Sequence, residues 1–173
     1  MTHFEIFGLP ASVDLDVKAL EQSSRTKLLE VHPDRLANAD AATRRKAAEL
    51  AASLNEAVKV LRDPIRRAFY LLKLKGVDLE SEQAAAKLAL PMDFLEEIME
   101  RREALEAVKA SRELARAQAM EADVRSVQGR VLAQGLAALR ADDVSAASSA
   151  LGRVRYYTRF LEEVDAFTEE LSS

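Results

Sequence analysis

His32, Pro33 and Asp34 stand between two helical runs, and their types and spacing allow two kinds of chemistry. A histidine two residues from a carboxylate can serve as an acid/base pair. That chemistry wants a cleft and tuned pKa values, and a loop tip with no second histidine nearby and no Gly-rich phosphate loop is a poor cleft. The other chemistry is docking. Proline lacks a backbone donor and biases the residue before it out of the α region, so the first run should stop near His32. Asp34, with Arg35 beside it, is then a carboxylate on a stiffened loop, and pre-organisation of that kind lowers the cost of binding. Taken alone, the tripeptide reads first as a helix stop and a polar turn.

The flanking elements change that balance. Val17, Leu20, Ser24, Leu28 and Val31 share one face of a helix expected over about 16–31, capped by Asp14 or Asp16. Ala47, Leu50, Leu54, Ala57, Val58 and Leu61 form the stripe of a helix expected over about 41–62, capped by Asp40. Two such helices pack antiparallel and place His32-Pro33-Asp34 at the tip of the hairpin. A short helical stretch around Phe4, stopped by Gly8 and Pro10, should tuck against it. Asp63-Pro64 opens a fourth helix with Ile65, Ala68, Phe69 and Leu72 inward, and Gly76 closes it.

With Asn55, Ala57, Leu61, Pro64, Arg66, Arg67 and Tyr70 in place, the stretch resembles the J-domain, by which DnaJ-like co-chaperones engage DnaK-type ATPases. The resemblance implies chaperone binding by His32, Pro33, Asp34, Arg25, Lys27 and Arg35. Glu30 and Val31 stand where many relatives carry a basic residue and an aromatic one, which points to a dedicated chaperone partner.

Beyond Gly76 a connecting segment holds a short helix expected over Ser81 to Leu88. Three helices follow, from Pro91 to about Lys109, Ser111 to Arg140, and from an Asp142 or Asp143 cap to the end, joined by short turns as in an antiparallel bundle. Gly129 and Gly135 interrupt the middle one and are expected to permit bending or close approach. Leu151, Val154, Tyr157, Leu161, Val164 and Leu171 form the last stripe. In the first of the three, Phe94, Ile98 and Leu105 make the core face, Leu95 lies at its edge, and Met99 falls roughly 120° away among Glu96, Glu100 and Glu103. That outer face reads equally as a recognition ridge or as an ordinary solvated surface.

Composition narrows the classes. Cysteine is absent, which removes disulfides, thiolate metal sites and cysteine nucleophiles, and two histidines far apart give little for a metal site. No run is long enough to span a membrane, and Met1-Thr2-His3-Phe4-Glu5 lacks the start of a signal peptide, so a cytoplasmic protein is expected. Residues 1–75 carry net charge +3 and residues 76–173 carry −7, which hints at two partners of different character rather than nucleic acid or membrane.

The whole chain resembles the HscB family of iron–sulfur cluster assembly co-chaperones. Phe4-x-x-Phe7-Gly8-Leu9-Pro10, Arg67-Ala68-x-Tyr70-Leu71-Leu72, and Phe94-Leu95-x-Glu97 through Glu100-x-Arg102-Glu103-x-Leu105 carry that resemblance. It implies an all-α protein with a J-domain over 1–75, a connecting segment over 76–90 and a scaffold-binding three-helix bundle over 91–173. It further implies no catalysis and no cofactor of its own. The partners would be an HscA/DnaK-type chaperone, whose ATPase is stimulated, and the scaffold protein IscU. Scaffold contacts map onto Leu95, Glu96, Met99, Glu100, Glu103 and Tyr156 or its neighbour Tyr157, with Glu96 standing where some relatives are apolar. Lack of a cysteine-rich amino-terminal extension matches the bacterial form. A general DnaJ-like co-chaperone for unfolded clients is the alternative.

Overall fold

The structure, a computed structural model, describes residues 1–172. Ser173, the last residue of the expected bundle, lies outside the described residues. All regular elements among them are helical: α1 His3–Ile6, α2 Val17–Glu30, a 3-10 turn Pro33–Leu36, α3 Ala41–Arg62, α4 Pro64–Leu74, α5 Glu82–Ala86, α6 Met92–Ser111, α7 Leu114–Arg140 and α8 Val144–Ser172. No helix among the described residues is long and apolar enough to cross a membrane. The chain divides into two compact units, Met1–Leu71 and Leu72–Ser173.

In the first unit, side-chain caps set the helix starts. The Asp16 carboxylate accepts the N–H groups of Lys18 and Ala19 at 2.9 and 3.1 Å, opening α2. Asp40 accepts from Thr43 N–H at 2.9 Å, opening α3, and that bond holds its carboxyl below the ordinary range. Leu20 and Ser24 of α2 bury against a seam of Ala47, Leu54, Ala57 and Leu61 on α3. Leu50, expected in that stripe, is 47% exposed. Towards the tip, α3 packs on the 3-10 turn, which buries none of its own residues.

Asp63 caps α4 through Arg66 N–H at 2.8 Å, with Pro64 in the first turn. Arg67 turns inward and donates to the Leu61 carbonyl at 2.6 Å, tying α4 to the end of α3. Ala68 and Leu72 are buried, while Ile65 and Phe69 are only half-buried. Phe4 and Phe7 fill the base of the hairpin, where the His3 ring stacks on Tyr70 at 4.4 Å.

In the second unit, Gly76 (φ +93°) turns the chain, as only glycine does without strain. The segment after it is fastened to α8: Glu82 pairs with Arg155 and Arg159, and Leu88 fills the notch at Gly152. α5 is shorter than the expected 81–88. α7 and α8 form an extensively packed hairpin around Val124, Val131, Leu151, Val154, Phe160, Leu161 and Val164. Gly135 makes their close approach possible, since a Cβ there would stand 2.8 Å from Leu151. Gly129 faces open space and has no such role. Arg112 takes a left-handed conformation (φ 53°) that closes α6, so α7 begins at Leu114 rather than Ser111. Of the two candidate caps for α8, Asp143 accepts Ala146 N–H at 2.9 Å, while Asp142 (φ 57°) makes the turn and pairs with Lys75. α6 packs on the α7–α8 pair much more sparsely than those two pack on each other.

Candidate functional site

The first site is the hairpin tip. α2 stops at Glu30, and His32 (ψ 136°) takes the extended conformation favoured before proline. Its Nδ1 accepts the Asp34 N–H at 3.2 Å, and its carbonyl accepts the Arg35 N–H at 3.0 Å, so His32 caps the turn opened by Pro33. The Asp34 side chain is 92% exposed and that of His32 51% exposed. An acid/base pair has no cleft here. The geometry instead holds a carboxylate outward on a turn fixed by proline and a side-chain cap.

Arg25 and His32 line one shallow groove between α2 and α3, with Leu28, Leu29, Val58 and Arg62. Arg35 is exposed beside Asp34. Lys27 lies two residues from Arg25, roughly 200° round the helix, and lines a different groove with Ile6, Gly8 and Glu30. The structure therefore brings Arg25, His32, Pro33, Asp34 and Arg35 to one end of the hairpin and sets Lys27 apart.

The second site is the outer face of α6. Phe94, Ile98, Leu105 and Val108 are buried, and they orient the opposite side outward. Met99 is 64% exposed, Leu95 is half-buried, and Glu96, Glu100 and Glu103 are exposed. Met92, 70% exposed, continues the ridge one turn earlier. The spacing 92, 96, 99 and 103 puts all four on one helical line, a signal present in the sequence but missed there.

Phe94 is held edge-on between two rings, 5.8 Å from Tyr156 and 5.5 Å from Tyr157. Tyr157 is turned inward: it is 1% exposed, and its hydroxyl donates to Glu97 Oε1 at 3.1 Å. Burial, reinforced by the Glu97 charge, pushes its hydroxyl up to about 12. Tyr156 is the ring left half-exposed at the edge. Glu97 also accepts from Arg101 Nε at 2.8 Å, and Arg101 Nη1 reaches Asp123 of α7 at 2.7 Å. Burial works against the Arg101 charge, but its bonds to Asp123 and Glu97 outweigh that and raise its pKa. Apolar side chains ringed by carboxylates suit a partner with an apolar patch inside a basic rim.

Known proteins resemble this chain along its length. The family described as the HSCB C-terminal oligomerisation domain matches residues 90–165. The Co-chaperone protein HscB homolog of Burkholderia cenocepacia is 38% identical over 173 residues, covering 99% of this chain and 97% of that protein. The homolog from Vibrio cholerae is 36% identical over 172 residues, 99% of each. Among solved structures, chaperone HscB from Vibrio cholerae superposes with a TM-score of 0.79 at 33% identity, covering 99% of both chains. Human co-chaperone protein HscB shares the fold, with a TM-score of 0.82 at 24% identity over 96% of this chain and 81% of that one.

Proposed function

The chain belongs to the HscB family of co-chaperones, and on that footing we propose that it is an adaptor between an HscA/DnaK-type chaperone and the iron–sulfur scaffold protein IscU. The J-domain, residues 1–75, docks on the ATPase through His32, Pro33 and Asp34, helped by Arg25, Lys27 and Arg35, and stimulates ATP hydrolysis there. Residues 91–173 hold IscU through Leu95, Glu96, Met99, Glu100, Glu103 and Tyr156, and the segment 76–90 connects the two. The protein does no chemistry itself and works in the cytoplasm.

One observation carries this reading: a single chain presents both an outward carboxylate on a capped turn and an exposed Met–Leu ridge edged by glutamates. The first suits a basic site on an ATPase, the second a folded partner with a basic rim. Calorimetric titration with folded IscU and with a denatured polypeptide tests it. Saturable binding of folded IscU that Met99→Ala weakens supports the adaptor. Preference for the denatured chain would assign a general co-chaperone instead.

A further inference from the structure

Apolar residues occur all round α6. Phe94, Ile98, Leu105 and Val108 are buried, yet Met92, Leu95, Met99, Ala104 and Ala107 occupy other sides. Burial holds a helix's rotation more firmly the more one face exceeds the others in apolar character. α6 approaches α7 and α8 closely at few positions, so a polar restraint can add to the rotation that its four buried residues select.

A polar chain crosses all three helices at this level. The buried Tyr157 hydroxyl of α8 donates to Glu97 of α6, Glu97 takes Arg101 one turn on, and Arg101 reaches Asp123 of α7. The partners have different roles: Tyr157 and Arg101 only donate here, and the two carboxylates accept. Rotation of α6 by one residue, about 100°, would take Glu97 off Tyr157 and leave a buried hydroxyl without a partner, which is costly. Polar groups that specify register where apolar packing is permissive are an attested device in helical assemblies.

We infer that the chain Tyr157–Glu97–Arg101–Asp123 locks α6 in the rotation its buried residues favour and so keeps the Met92–Leu95–Met99–Glu103 face outward. These four are positioning residues. The consequence for binding rests on the docking role proposed above; the register itself does not.

The chain has no cysteine, so single thiols report rotation directly. Ile98→Cys on the buried side of α6 and Leu161→Cys in the core of α8 start from 5% and 4% exposure. Each is placed in the full-length protein, with the polar chain intact or broken by Tyr157→Phe with Arg101→Met, and its reaction with a soluble disulfide reagent is timed. The Ile98→Cys thiol should react at least about ten-fold faster when the chain is broken, with the Leu161→Cys thiol unchanged. IscU affinity should fall about ten-fold in the same background, and Arg101→Lys alone should retain most of it. An unchanged rate at position 98 overturns the inference. So does equal exposure of both thiols, which would make the polar chain a source of general stability only. A faster rate at position 98 with intact IscU affinity would uphold the register and refute the docking role instead.

Discussion

The hairpin tip and the α6 face present function in opposite ways. At the tip, one carboxylate, 92% exposed, stands on four residues of 3-10 turn, none of them buried. Its orientation comes from local covalent and hydrogen-bond constraints, namely Pro33 and the His32 cap. On α6 the proposed contacts spread over more than two turns of helix, and their orientation comes from what lies beneath: Phe94, Ile98, Leu105 and Val108, all 5% exposed or less. A tip of the first kind should fail sharply when its one group is lost and hardly notice changes to the core. A face of the second kind should lose affinity in steps and follow the core closely.

Removing core support separates the two most strongly. Leu105→Ala, at a fully buried position, should destabilise the bundle by about 3 kcal/mol in urea unfolding, whereas Asp34→Ala should stay within about 0.5 kcal/mol of the parent. A comparable loss from Asp34→Ala would erase the contrast.

Next in size is a pH effect confined to the bundle. Tyr157 has its pKa raised from 10.0 to about 12 in the folded protein. Its contribution is complete below pH 10, where both states are protonated. Above that the unfolded state ionises first, so stability drains away up to about pH 12. The full loss is about 2.7 kcal/mol, and the slope should flatten in Tyr157→Phe when unfolding is followed across that window.

Surface changes to α6 come third. Met99→Ala should weaken IscU about ten-fold and Glu103→Gln about three-fold, with the urea midpoint unmoved and chaperone stimulation without IscU intact. Smallest is Pro33→Ala, which frees the turn without removing a contacting charge. It should lower stimulation about three-fold and leave the IscU titration unchanged.

The same contrast explains what could be read from the residues in order. The tip and the helix starts of the first unit were legible because their determinants are local: Asp40 opening α3, Asp63-Pro64 opening α4 and proline ending the helix before the tip all act within a few residues. The core and outer sides of α6 were legible from its period. Leu50 misled because periodicity reports which face a residue shares and not whether anything stands opposite. The J-domain resemblance grouped Lys27 with Arg25, although two residues along a helix place them on different sides. Glu97 and Arg101 stand at i, i+4 spacing, a signal the sequence reading passed over, and their extension to Tyr157 and Asp123 joins positions 60 and 22 residues apart and needs the tertiary fold. The choice between Tyr156 and Tyr157 did not need it: Tyr157 shares the stripe of Leu151, Val154, Leu161 and Val164, and its neighbour 100° away is the ring left at the edge.

Single-turnover ATP hydrolysis by the cognate HscA-type chaperone, with this protein or its Asp34→Ala variant and with IscU present or absent, tests the adaptor role most directly. Stimulation that requires Asp34 and exceeds the sum of the separate effects when IscU is added is the predicted result. Absence of stimulation by the unaltered protein, with the chaperone shown to be active, would contradict the account.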